Sequence, residues 1–182
     1  MKLQYTATLP TDLSTRYILV DSTALIHAAY SDEFLKLLTD IVGAGCTLFT
    51  IPSVVYEYSR SADTPAKLKQ RLEFIKELKI AVLNRVEEEI EKHSIFLVAY
   101  NRTFNKRNPG PSYTDSLLCA MAYRFKHMQP LILSANHKDI PQSIFDRTEL
   151  ITIDISGGLQ NEALYEFSES KFSKLLEELE KT

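Results

Sequence analysis

The stretch YILVDSTALI, residues 17–26, decides the fold. Tyr17, Ile18, Leu19 and Val20 form an unbroken run of β-formers, the signature of a short buried strand. Asp21 interrupts it, Ser22 and Thr23 follow, and the apolar pattern resumes at helical spacing through "ALIHAAY". A strand running into a helix through an acid is the start of an α/β unit. It also poses a question: to what does a buried strand present its terminal carboxylate?

Working outward, "DEFLKLLTDIV" (32–42) places Phe34, Leu35, Leu38 and Ile41 on one helical face, and Gly43 and Gly45 stop it. "TLFTI" (47–51) reads as a second strand, with Pro52 opening the helix "PSVVYEYSR". After the polar break "SADTP", the segment "AKLKQRLEFIKEL" sets Leu68, Leu72, Ile75 and Leu78 in helical register, and "KIAVL" (79–83) is a short strand. The spacing predicts a helix over 84–100, an irregular loop "NRTFNKRNPGP" (101–111) and a helix over "SYTDSLLCAMAYRF". "PLILS" (130–134) and "ELITIDI" (149–155) are strands, and the tail from Asn161 reads as one amphipathic helix carrying Leu164, Phe167, Phe172, Leu175, Leu176 and Leu179.

Strands alternating with helices predict an α/β fold, a three-layer α/β/α sandwich around a central, mostly parallel sheet. Residues 1–160 form the expected domain, and 161–182 a C-terminal acidic helix packed on it or extending it. Open sheets of this type bind ligands outside the carboxyl ends of their strands.

An apolar content of 45% excludes a disordered chain. The longest apolar run, "LLCAMAY" (117–123), falls far short of the about 20 residues that cross a bilayer, so no membrane partner is expected. Cys46 and Cys119 stand alone and "MKLQYTATLPTDLST" lacks the apolar core of a secretion signal, so the expected compartment is the cytoplasm. The net charge of −3 resides in residues 161–182, where six Glu face three Lys. The rest of the chain is balanced, which is compatible with a polyanionic ligand.

Four acidic positions fall after strands or at helix entries. Asp21 closes the first strand, Glu57 lies in the helix after the second, Asp115 sits in the first turn of the 112–125 helix, and Asp139 follows "PLILS" together with Asn136. Each has a plain alternative. Asp21 caps a helix, Glu57 is a solvated glutamate, Asp115 completes a capping box with Ser112, and Asp139 opens a short "KDIPQSIF" helix. As a set they point elsewhere. Two carboxylates about 4 Å apart repel by roughly 4 kcal/mol at intermediate dielectric unless a proton or cation intervenes. Oxygen ligands without His or Cys suit Mg²⁺ or Mn²⁺, which polarise phosphoryl groups and activate water.

Here the sequence resembles the PIN domain family, metal-dependent ribonucleases that include the VapC-type toxins of toxin–antitoxin pairs. The likeness spans roughly residues 16–155: "VDSTALI" resembles the opening motif, "IPSVVYEYSR" the second, "SYTDSLLCAMAYRF" the third and "LILSANHKDI" the fourth. The resemblance implies an endoribonuclease that uses Mg²⁺ or Mn²⁺ and leaves 5′-phosphate and 3′-hydroxyl ends. Asp21, Glu57, Asp115 and Asp139 are then its catalytic acids, Asn136 shares the metal with them, and Thr23 occupies the position of the family's hydroxyl residue. Asn136 stands where many relatives carry Asp, which removes one charge from the ligand set. An RNA substrate, an antitoxin protein and a homodimer are the partners this likeness implies.

The loop "NRTFNKRNPGP" brings Arg102, Lys106 and Arg107 with Phe104 and no acid. It reads first as an ordinary solvated loop and second as a single-stranded RNA path that pairs phosphate neutralisation with stacking. A noncatalytic PIN module that binds RNA or protein is the alternative to the enzyme, motivated by Asn136 and the acidic tail. A phosphatase with a strand-end Asp nucleophile is disfavoured by Thr23 in place of a second acid. A Rossmann-type site is disfavoured by the lack of a glycine after the first strand.

Overall fold

A computed structural model of the protein describes residues 16–83, 95–96, 111–155 and 158–181. The expected helix over 84–100, apart from Ile95 and Phe96, and the loop bearing Arg102, Phe104, Lys106 and Arg107 lie outside the described residues.

The opening stretch forms β1 (Tyr17–Val20), and Ser22–Tyr30 form α1, with Asp21 between them as the helix N-cap. Ile18, Leu19 and Val20 are fully buried, because β1 is flanked by strands on both sides. Next come α2 (Asp32–Gly43), β2 (Thr47–Thr50), α3 (Pro52–Arg60), α4 (Pro65–Glu77) and β3 (Ala81–Val82). The local chemistry fits: the side chains of Ser31 and Thr64 cap α2 and α4, and Pro52 and Pro65 open α3 and α4. On α2 the buried face is Phe34, Leu37, Leu38 and Ile41. On α4, Ile75 is buried but Leu68 and Leu72 are exposed.

The chain then supplies α5 (Tyr113–Arg124), β4 (Leu131–Ser134), β5 (Phe145–Ile155), β6 (Gly158–Phe167) and α6 (Glu169–Glu180). Among the described residues the sheet has six strands, in the order β3-β2-β1-β4-β6-β5. The pairs β3–β2, β2–β1 and β1–β4 are parallel, while β6 is antiparallel to both β4 and β5, so the sheet is mixed. From β1 the chain winds outward through β2 to β3, then returns to place β4 on the other side of β1. The junction of β1 and β4 is therefore the point where strand order reverses, the place where sheets of this type bind ligands outside their carboxyl ends.

Two expectations are corrected. Residues 161–167 are strand rather than the start of a helix, and the terminal helix begins at Glu169. Glu162, Ala163, Leu164 and Tyr165 are consecutively buried, because β6 lies inside the sheet with both faces covered. This erases the alternation that marks a half-exposed strand. The segment "KDIPQSIF" forms turns, not a helix. Pro141 supplies no N–H and pushes Ile140 out of the helical region.

Parity along β6 shows helices on both faces. Glu162 meets His27 of α1. Phe167, of opposite parity, packs against Tyr123 of α5 and Phe172 of α6, with ring centroids 5.2 and 5.4 Å away. The arrangement is compatible with three α/β/α layers. Phe96, Phe145 and Phe172 complete an aromatic cluster that seats α6 on the body. Among the described residues no helix is long and apolar enough to cross a membrane.

Candidate functional site

At this junction, hydroxyl groups stitch the strand ends together. Thr50 Oγ1 donates to the Val20 carbonyl at 2.8 Å, and the Asp21 N–H donates to the Leu133 carbonyl at 3.0 Å. Asp21 itself is 0% exposed. Its Oδ1 accepts from Ser22 N at 2.6 Å and faces Ser22 Oγ at 3.3 Å; its Oδ2 accepts from Thr23 Oγ1 and Ser134 Oγ, both at 2.8 Å. Burial pushes this carboxyl above its ordinary value. The bonds from Ser134, Thr23 and Ser22 pull it back, and the charge of Glu57 adds to the rise.

The network continues in both directions. Ser22 Oγ lies 3.0 Å from Glu57 Oε2, tying the half-buried acid of α3 to the start of α1. Ser134 Oγ accepts from Asn136 N at 2.9 Å, and Asn136 Nδ2 donates to Asp115 Oδ1 at 3.3 Å. Asp115, 3% exposed, also closes a capping box: its Oδ2 accepts from Ser112 N, and Ser112 Oγ accepts from Asp115 N. Helix cap and site member are thus the same residue. Its carboxyl is raised to about 6, first by burial and then by the charge of Asp21, against bonds from Ser112 and Asn136.

Asp139 lies in the turn after β4, where its N–H donates to the Asn136 carbonyl at 2.9 Å. The thiol of buried Cys119 locates it electrostatically. That thiol is pushed well up by burial and then by Asp115, Asp21 and Asp139. Asp21, Glu57, Asp115 and Asn136 therefore share one hydrogen-bonded chain, with Asp139 at its margin. The Thr23 hydroxyl serves that chain from within, donating to Asp21 and accepting from Ala135 N at 3.1 Å.

Sequence reasoning passed over Ser22 and Ser134, the linkers of this chain, and a second pair beside it. Glu162 on β6 is 0% exposed, and its Oε1 lies 2.6 Å from His27 Nδ1. Its carboxyl is raised to about 7, chiefly by burial; His27 opposes this rise and the charge of Asp21 adds to it. On the other face of β6, His137 Nδ1 lies 2.6 Å from the Tyr165 hydroxyl, and burial lowers that imidazole below its ordinary value.

The donors suit a hard cation, being carboxylates, hydroxyls and an amide. Among the described residues no group of three or more His, Cys, Asp and Glu stands ready as a metal cage. Three acceptor positions of the Asp21 carboxylate are occupied by Ser22 N, Thr23 Oγ1 and Ser134 Oγ, and the fourth faces Ser22 Oγ at 3.3 Å. A cation held by Asp21 would use that fourth position. No protein-family model and no curated protein sequence matches the chain.

Proposed function

We propose that the protein is a PIN-like endoribonuclease whose Asp21, Glu57 and Asp115 hold Mg²⁺ or Mn²⁺, with Asn136 and Asp139 at the margin of the ligand set. One observation carries the reading. Two carboxylates, Asp21 and Asp115, are buried within reach of each other's charge, and their bonded partners are hydroxyls, an amide and backbone N–H groups rather than cationic side chains. A divalent cation supplies the missing charge, polarises a phosphodiester and activates water. The chain's own groups hold the acids in place: Thr23 and Ser134 fix Asp21, Ser22 orients Glu57, and the capping box fixes Asp115. On this reading the compartment is the cytoplasm, and the partners to test are single-stranded RNA, an antitoxin protein and a second copy of the chain. Thr23 and the loop cations Arg102, Lys106 and Arg107 are the proposed RNA contacts.

The test is cleavage of a labelled mixed-sequence RNA with Mg²⁺ or Mn²⁺, comparing wild type with Asp21→Asn and Asp115→Asn. Loss of cleavage in both folded variants supports the nuclease. Equal cleavage by all three exposes a contaminant, and no cleavage by any removes the reading for that RNA.

Asn136 favours a second reading. Its amide donates to Asp115 where a relative's acid would add charge, so a noncatalytic module binding RNA or a protein is the alternative. Tight RNA binding without cleavage at any metal concentration selects it.

A further inference from the structure

Glu162 and His27 have no part in the ligand set above, yet they are built into its border. His27 lies on α1 four residues after Thr23, so the two share a helix face, and Thr23 is bonded to Asp21. Glu162 precedes Ala163, which pairs with Ser134, the residue that donates to Asp21 from the end of β4. The pair thus borders the Asp21 chain on its β6 side, close enough for the Asp21 charge to bear on Glu162. Its contact is short, 2.6 Å from Glu162 Oε1 to His27 Nδ1, while Glu162 Oε2 is buried without a hydrogen-bond partner. Nδ1 faces the acid, so Nε2, across the ring, is directed away from it. The His27 side chain keeps 17% exposure, whereas that of Glu162 has none.

A buried carboxylate with an unpartnered oxygen is costly when charged without compensation. The charged group that bears on it from the start of α1 is Asp21, also an acid; Tyr165, on the same strand, senses Glu162 in turn. Burial and Asp21 both disfavour an uncompensated charge on Glu162, and a proton held between Oε1 and Nδ1 supplies the compensation. With Nδ1 so engaged, Nε2 is the ring position from which a proton can be donated elsewhere. The assignment is independent of whether the inner proton belongs to the acid or the ring.

We propose that His27, held by Glu162, is the general acid of the site, donating its Nε2 proton to the oxygen that leaves when a phosphodiester is cut. The proposal rests on the nuclease reading. The oxygen of water bonds to phosphorus and the bond from phosphorus to the 3′ oxygen breaks. The departing electron pair stays on that oxygen, which takes the Nε2 proton. The proton of the attacking water passes to solvent, and solvent reprotonates the ring. General acids of this kind typically contribute on the order of 10²–10⁴-fold in rate.

The experiment uses the full chain with Mn²⁺ and two RNAs that differ at the scissile linkage, one natural and one with sulfur in place of the bridging 3′ oxygen. A thiolate leaves without protonation. His27→Gln is expected to cut the natural RNA about 10²-fold more slowly than wild type and the sulfur-bridged RNA within a few-fold of it. Glu162→Gln is expected to fall between them. Equal losses on both RNAs, or no loss on either, overturn the proposal while leaving the nuclease intact. A wild type that cuts neither RNA overturns both. A readout without substrate or metal stands beside this one: the far-downfield proton of the short Nδ1–Glu162 bond is expected in wild type and absent from Glu162→Gln. Nitrogen spectra that place Nε2 against Glu162 overturn the proposal.

Discussion

The hydroxyl of Ser22 stands 3.0 Å from Glu57 Oε2 and 3.3 Å from Asp21 Oδ1. One hydroxyl has one proton to give, so it serves one of the two acids at a time, and the shorter distance assigns it to Glu57. Ser22→Ala is therefore expected to free Glu57 from α1 more than it disturbs Asp21. With a net hydrogen-bond contribution of about 1 kcal/mol, Mn²⁺ affinity measured by calorimetry should fall roughly fivefold, with little change in fold stability. Unchanged affinity would separate Glu57 from the cation.

Ser134 has a larger expected effect. Its hydroxyl donates to buried Asp21 and accepts from Asn136 N, so Ser134→Ala strips two bonds at once. Leaving a buried acid under-partnered costs about 1–3 kcal/mol, which urea unfolding at pH 7 would measure. The loss should shrink as pH falls and Asp21, raised above its ordinary value by burial, takes up a proton. A loss that does not vary with pH would assign the effect to packing instead.

The raised carboxyls set a direction for stability against pH. Asp115 rises from 3.8 in the free state to about 6 in the fold, and Glu162 from 4.5 to about 7. Over those windows the unfolded chain has released protons that the folded chain retains, so stability present at low pH is lost as pH rises through the folded values. For Asp115 the loss amounts to about 3 kcal/mol, by the conversion of pKa shift to free energy. In chelator, Tm should fall between pH 5 and 8, and Asp115→Asn should flatten part of the slope. Added Mn²⁺ should raise Tm most at pH 8. A Tm that climbs with pH in chelator contradicts the burial of these groups.

Asn136→Asp adds a charge beside Asp115 Oδ1, where an amide now donates at 3.3 Å. Without metal, that like-charge contact should lower stability by about 1–3 kcal/mol. With Mn²⁺ it should tighten binding at least several-fold and recover the stability. Destabilisation of equal size with and without the cation would place position 136 outside the ligand set.

Phe172 anchors α6, with its ring centroid 4.7 Å from that of Tyr123. Phe172→Ala should cost about 3–5 kcal/mol in unfolding experiments. Deleting residues 161–182 should be far worse, because most of β6, bonded to both β4 and β5, goes with them. A stable, folded deletion product would refute this topology.

The elements legible in the sequence carry their signals locally. β1 shows as an apolar run closed by Asp21, α3 and α4 open on prolines, and α5 announces its capping box in "SYTD". The acids at those boundaries were legible for the same reason. β6 was hidden because burial on both faces removes period-2 alternation, and its Leu164 and Phe167 mimic helical spacing. Ser134 looked like an ordinary polar strand end, since its partner Asp21 lies 113 residues away. Glu162 looked like one of six glutamates in an acidic tail, and nothing local joins it to His27, 135 residues earlier.

The distance between Asp21 and Ser134 also has a meaning in time. A chain emerging from a ribosome at about 5–20 residues per second needs on the order of 10 s to deliver the second after the first. Throughout that interval β1 and β2 can already pair, yet Asp21 lacks the hydroxyl of Ser134 and the partner strand β4. The strand β6, which covers the far side of β4, arrives later still. Asp21 and Glu57 are therefore synthesised early and assembled late, and a nascent chain carries no finished site until nearly all of its described sheet has been made.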